Sequence, residues 1–178
     1  GRGSNLESII SATNKKNFPA KISLVISSNK SALGLKIAEK NHIKNVVVEQ
    51  KEFSNKELFE ADLIGKIVQQ DPSLICLAGF MQILSKTFIN KFRNKIINIH
   101  PSLLPDYKGL NTHERAIHAG EKYSGCTVHY VTEELDGGKI IAQERVLISP
   151  SDTPETLSRK VLEREHIIYP KTIESLLS

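Results

Sequence analysis

The sequence contains no tryptophan, one methionine and two cysteines in 178 residues. Two cysteines make no disulfide framework, and Cys76 lies in the apolar run SLICLA, which reads as buried; a reducing cytoplasm is the expected setting. Long hydrophobic runs are missing too. Stretches such as LICLAGF fall far short of the roughly 20 residues a membrane helix needs, and no basic-then-apolar segment opens the sequence. Charge of one sign is scarce: 24 basic against 20 acidic residues leave a formal +4. That excess is too small and dispersed to hold nucleic acid by bulk electrostatics, although an anionic small molecule stays open. There is no low-complexity tract and no internal repeat, which excludes collagen-like, mucin-like and disordered chains. G-x-S-x-G is absent, removing a serine nucleophile elbow. CxxC is absent, and His113 and His118 are five apart, about 140° around a helix, so no metal site is expected. What is left is one compact enzyme or binding domain over residues 1–178.

Through the first hundred residues, apolar runs rich in β-branched side chains alternate with amphipathic stretches. Residues 21–28 (KISLVISS), 45–49 (NVVVE), 73–78 (SLICLA) and 95–99 (KIINI) each read as a strand buried on both faces. Residues 5–15, 31–40 and 55–70 carry apolar side chains at helical spacing. Alternating helices and apolar strands predict an α/β fold, a doubly wound and mostly parallel sheet. Residues 124–131 (SGCTVHYV) and 139–148 (KIIAQERVLI), joined through LDGG, predict an antiparallel hairpin extending that sheet. A closing helix starts at Thr153-Pro154-Glu155, with Thr153 as cap and Pro154 at the first helical position, and Pro170 is expected to kink or end it.

Three short motifs carry possible chemistry. Gly1-Arg2-Gly3-Ser4-Asn5-Leu6 is a glycine-rich turn entering a helix, either a phosphate loop built from free amides or simply a flexible end. Asn98-Ile99-His100-Pro101 follows a strand, so the amide and imidazole point the same way at the strand's carboxyl end, where open α/β sheets bind ligands. An amide donor beside a protonated imidazole suits an oxyanion, and a solvated polar strand end is the alternative. Glu133-Glu134-Leu135-Asp136-Gly137-Gly138 reads as a hairpin turn, or, if its acid faces His100, as a carboxylate that favours the charged imidazole. His42 reads as a surface residue, and His129 either packs or lines a site.

Together these segments resemble one family, the phosphoribosylglycinamide formyltransferases. GRGSNLESII, SNKSALGLKIAEK, LAGFMQILS, NIHPSLLPDYKGLNTHERAIHAG, GCTVHYVTEELDGGKIIAQ and EREHIIYP match in order over nearly the whole chain. The resemblance implies a Rossmann-like formyltransferase fold and transfer of a formyl group from the cosubstrate 10-formyltetrahydrofolate to the amine of glycinamide ribonucleotide, in purine biosynthesis, without a metal. It implies Asn98, His100 and Asp136 as the catalytic set. Gly3, Ser4 and Asn5 would bind the substrate phosphate, and Glu165 the ribose. Met81, Gln82, Ile83 and Leu84, with Thr132, Glu133 and Glu134, would hold the folate; Gln82 stands where the family often has Arg. Residues 1–100 would serve the nucleotide and 101–178 the folate and the catalytic loop. The implied partners are small molecules, with neither nucleic acid nor membrane, and the implied state is a monomer or weak homodimer. A non-catalytic nucleotide-binding module on the same sheet and a related formyltetrahydrofolate hydrolase are the alternatives.

The family also carries a strand before the glycine loop, between those matching residues 22–28 and 74–78. Without it two inner strand edges would lack partners, at about 1–3 kcal/mol per orphaned buried group. The expectation is therefore an apolar strand ahead of Gly1 in the natural protein, with strands 22–28 and 74–78 about 9.6 Å apart.

Overall fold

The structure, a computed structural model, describes residues 2–178; Gly1 of the glycine-rich opening lies outside them. In chain order the elements are α1 (Ser4–Thr13), β1 (Val25–Ser27), α2 (Leu33–Lys40), β2 (Asn45–Val47), α3 (Lys56–Val68), β3 (Ile75–Leu77), α4 (Lys86–Lys91), β4 (Ile96–His100), α5 (Thr112–His118), β5 (Tyr123–Tyr130), β6 (Ile140–Leu147) and α6 (Pro154–Leu177). β1 pairs with β2 and β3 with β4, both in parallel. β5 then adds antiparallel to β4, and β6 to β5. This is the expected α/β architecture, parallel early and antiparallel late. Among the described residues β1 and β3 do not pair, so the strands form two sheets, β1-β2 and β3-β4-β5-β6.

The early strands differ from expectation in burial. Only β4 is buried along most of its length; β1 and β3 are half-buried throughout, and Val47 of β2 is exposed. Among the described residues β4 has strand partners on both edges, whereas β1 and β3 have one each.

Side-chain alternation along β4 divides the core. Ile97 and Ile99 join Cys126 and Val128 of β5, Val146 of β6, Ile9 of α1, and Leu157, Val161, Ile168, Tyr169 and Ile173 of α6. Ile96 points to the other face, among Phe59, Leu63 and Ile67 of α3 and Phe88 and Phe92 at α4. Asn98 and His100 share the parity of Ile96, and Thr127 and His129 lie opposite to the parity of Cys126 and Val128. All four polar side chains therefore emerge on the face turned away from α6.

Helix starts follow their capping chemistry. Asn55 accepts from the Leu58 N–H and Ser85 from the Phe88 N–H, and Thr153 forms a reciprocal capping box with Thr156 just before Pro154. Pro170 does not end α6, which runs on to Leu177. Its neighbours Tyr169, Thr172 and Ile173 are all buried, and the Thr172 hydroxyl donates to the Ile168 carbonyl at 2.7 Å. Packing thus holds the helix across the one backbone donor that proline removes.

The fully buried Tyr169 hydroxyl donates to the Leu77 carbonyl at 2.7 Å, with the Ile97 carbonyl at 3.3 Å, tying α6 to both β3 and β4. Tyr169→Phe should lower the free energy of unfolding by about 1–3 kcal/mol, because it leaves a buried carbonyl without its donor. Denaturant melts of the two proteins measure this; equal midpoints would show that the bond contributes nothing.

Candidate active site

The register of β4 against β5 sets Asn98 opposite His129 and His100 opposite Thr127. These pairs sit at the carboxyl end of β4, where the chain leaves through Pro101–Ser102–Leu103–Leu104–Pro105. Thr127 fixes that exit: its hydroxyl donates to the Ser102 carbonyl at 2.7 Å and accepts from the Leu104 N–H at 3.1 Å. Gln143 of β6 adds a bond from Nε2 to the Leu104 carbonyl at 2.8 Å. Held this way, the loop folds back and places the Tyr107 carbonyl 2.9 Å from His100 Nε2, which donates to it.

Asp136 arrives from the β5–β6 connection. Its Oδ2 lies 3.5 Å from His100 Nδ1 and its Oδ1 3.7 Å from His129 Nε2, with a side chain only 8% exposed. The Gly109 N–H donates to Oδ2 at 2.9 Å. Two backbone features make the approach possible. Asp136 itself has a positive φ of 49°, a conformation aspartate tolerates better than most residues. Gly138 passes so near the Tyr130 carbonyl that a Cβ there would stand 1.7 Å from the oxygen, so only glycine fits. Asn98, His100 and Asp136 are thus brought together. His129, left open by the sequence, stands among them, 3.4 Å from Asn98 Nδ2.

Burial holds the His129 imidazole below its ordinary pKa, with His100 adding to the effect against the Tyr130 carbonyl and Asp136. His113 of α5 is likewise held down, by burial first and by His100 second. The site therefore contains three imidazoles, two of which favour the neutral form. His100 has an acceptor facing each ring nitrogen, so a proton on each is accommodated.

A second cluster lies at the start of α1. Gly3 precedes the helix in a left-handed conformation (φ 73°) and offers no side-chain cap, so the first-turn amides are free to meet a ligand. A Cβ at Gly3 would press on Ile37 and on the Gly34 backbone of α2, which explains the glycine. A cavity of about 460 Å³ opens here, lined by Gly3, Ser4 and Asn5 with Arg2, Ser158 and Arg159. Asn5 Nδ2 donates to Glu165 Oε2 at 3.3 Å, while Asn5 Oδ1 is buried without a donor. Glu165 of α6 is buried, and burial pushes its carboxyl up to about 7 despite the Asn5 bond. Gly3, Ser4, Asn5 and Glu165 are therefore neighbours, and Arg2, Ser158 and Arg159 are lining residues that the sequence reading missed. No motif marks Ser158 and Arg159, which reach the cavity only because α6 packs along α1.

Of the residues expected to meet a folate, Met81 and Ile83 are exposed at 74% and 67%, Gln82 is half-buried, and Leu84 is buried in the α3–α4 core. Thr132, Glu133 and Glu134 are exposed. Val131 packs on the same core as Phe80 and Leu84, and Lys86 Nζ lies 3.8 Å from Glu133 Oε1, so the two segments border one region. Among the described residues no cluster of three metal-ligating side chains occurs, and no helix is long and apolar enough to cross a membrane.

The sequence matches the formyl transferase family over residues 1–173. It is 47% identical over 175 residues to phosphoribosylglycinamide formyltransferase of Haemophilus influenzae, covering 98% of this chain and 82% of that protein. Against the chicken trifunctional purine biosynthetic protein adenosine-3 it is 43% identical over 178 residues, all of this chain but only 18% of that protein. The crystal structure of phosphoribosylglycinamide formyltransferase from Brucella melitensis superimposes with a TM-score of 0.97 at 44% identity, covering 100% of this chain and 92% of that one.

The raised Glu165 carboxyl has a consequence for stability. The folded state keeps a proton that the unfolded chain releases, so stability falls as pH rises from the ordinary carboxylate range through about 7. Glu165→Gln should remove that dependence, its advantage growing between about pH 5 and about pH 8 by on the order of 2–3 kcal/mol. Denaturant melts across that range test it; parallel profiles would show that Glu165 is ionised at no cost.

Proposed function

The chain belongs to the phosphoribosylglycinamide formyltransferase family of the formyl transferases, and from that premise we propose that it transfers a formyl group from 10-formyltetrahydrofolate to the amine of glycinamide ribonucleotide. It spans less than a fifth of the trifunctional relatives, so the reading concerns this one step. The observation that carries it is the meeting of Asp136 with His100 and Asn98 at the carboxyl end of β4. Attack of an amine on a formyl carbon creates an oxyanion and an ammonium on one tetrahedral centre; the ammonium must lose a proton, and the departing folate nitrogen must gain one. An Asn98 N–H supplies a donor for the oxyanion, the imidazolium of His100 supplies positive charge, and the Asp136 carboxylate receives and returns the proton, directly or through water. No covalent enzyme intermediate is needed, since the nucleophile is the substrate's own amine.

The nucleotide phosphate would rest on the first-turn amides of α1 with Ser4 and Asn5, and Arg159 would add a guanidinium from α6. Glu165 and the unpartnered Asn5 Oδ1 suit ribose hydroxyls as donors. The exposed apolar Met81, Ile83 and Leu135 suit the flat pterin, with Gln82, Leu84, Thr132, Glu133 and Glu134 around it. A reducing cytoplasm suits the two free thiols, both pushed up to about 12 by burial.

The direct test is formyl transfer with glycinamide ribonucleotide and 10-formyltetrahydrofolate, read as appearance of deformylated folate. Nucleotide binding without transfer would instead favour a binding module. His100→Ala and Asp136→Asn should each lower kcat by about 10²-fold or more while the protein still folds, and near-parental turnover in either removes that residue from the mechanism. Arg159→Ala should raise KM for the nucleotide by about tenfold, as loss of one charge-assisted bond does, with kcat held; an unchanged KM would place the phosphate elsewhere.

A further inference from the structure

We propose that His129 is the positioning residue for Asn98: through a neutral imidazole protonated on Nδ1, it fixes the Asn98 amide with its NH2 group turned into the site. This rests on the formyl-transfer reading for its catalytic consequence and on geometry alone for its structural content.

The argument runs from one bond outward. His129 Nδ1 lies 2.9 Å from the Tyr130 carbonyl oxygen. A bare ring nitrogen at that distance would set lone pair against lone pair, so Nδ1 carries the hydrogen and donates it. Burial, the largest influence on this ring, disfavours a second proton. Nε2 is then an acceptor. Asp136 Oδ1 lies 3.7 Å from it, beyond hydrogen-bond reach. The group within reach of Nε2 is the Asn98 amide, 3.4 Å away. An amide oxygen there would face a bare lone pair, whereas an amide N–H completes a bond, so Nδ2 is the atom that faces His129. One of the two Nδ2 hydrogens is used in this way, and the other is left for substrate.

The consequence for chemistry is a sign. With Nδ2 inward, Asn98 offers the forming oxyanion a donor; with the amide reversed it would offer an oxygen and repel it. Nothing in asparagine itself chooses between these orientations, since the two ends of the amide are nearly the same shape. His129 makes the choice. It is able to do so because the β4–β5 register sets it directly across from Asn98 and because the ring is 98% shielded from solvent, being 2% exposed.

The structural half can be read without any turnover. In protein labelled with 15N at histidine, His129 should show an Nδ1–H, unprotonated-Nε2 tautomer at neutral pH, and the Asn98 side-chain NH2 resonances should move in His129→Leu. An Nε2–H tautomer or a doubly protonated ring would overturn the proposal. The catalytic half uses a cycle. His129→Leu should lower kcat by about 10–10²-fold with KM for both substrates within about threefold, the scale of losing one oxyanion donor. His129→Gln, whose side-chain oxygen reaches the Nε2 position as an acceptor, should recover most of that loss. In an Asn98→Ala background, His129→Leu should cost nothing further. Multiplying losses in the double variant, or Gln and Leu being equally impaired, would show that His129 acts through something other than Asn98. If the parent protein transfers no formyl group, the functional reading fails while the resonance measurements still decide the tautomer.

Discussion

The site depends on a single alignment, the antiparallel register of β5 on β4. It sets Asn98 against His129 and His100 against Thr127, and through Thr127 it also anchors the loop that returns Tyr107 and Gly109 to the imidazole and the carboxylate. A slip of one residue would turn every one of these side chains to the opposite face, into the apolar layer beneath α6. What prevents the slip is that layer itself: Ile97, Ile99, Cys126 and Val128 are buried against α6, so the same alternation that packs the core on one side presents polar chemistry on the other. The irregularity in β5–β6 pairing after Val128 falls beside His129, a common place for a strand to re-aim a side chain.

Stability and mobility are distributed unevenly around this alignment. β4, β5 and α6 share the larger core, and the Tyr169 hydroxyl joins β3 to it. The loop carrying Asp136 is attached differently. Its ion pairs, Lys108 with Glu134 and Lys86 with Glu133, lie at the surface, where such pairs contribute little. Its firmer attachments are the Gly109 N–H on Asp136 and the tight passage of Gly138 under Tyr130. Leu135 meanwhile is left more than half exposed between them. The carboxylate is thus fixed at its base while the loop's outer face stays exposed.

Much of this was legible in the sequence, for identifiable reasons. Strong apolar periodicity located the six strands and helices α1, α2 and α3 to within a few residues, and the Thr153-Pro154 start of α6 was correct because capping chemistry is local; α4 and α5, at six and seven residues, are too short to show a helical period and were not foreseen. Asn98 and His100 were legible as a pair because strand alternation is local too. The other failures were tertiary. Of the two outcomes expected at Pro170, a kink or an end, the end does not occur, because buried neighbours on both sides outweigh one missing donor. The early strands are half-buried among the described residues, whereas their composition reads as buried on both faces. His129 stayed ambiguous because a histidine in TVHY declares its role only when its cross-strand partner is known. Arg159 carried no signal at all, since a lone arginine on a helix gains meaning only from the cavity beside it.

The distribution of protons around the site follows from burial rather than from any single ion pair. Two imidazoles, His100 and His129, stand within 4 Å of one carboxylate, an arrangement that would disperse its charge if both competed for it. Desolvation weakens the charged forms of His129 and His113, and the charge on His100 works against both in the same direction. His129 is further committed, because its Nδ1 hydrogen is spent on the Tyr130 carbonyl and its Nε2 faces the Asn98 amide. His100 faces a carbonyl at 2.9 Å and the Asp136 carboxylate at 3.5 Å, and among the described residues no amide donor bonds to either of its ring nitrogens. The nearer partner of the carboxylate, His100, sits on the same strand face, two residues along, as the amide whose direction His129 sets.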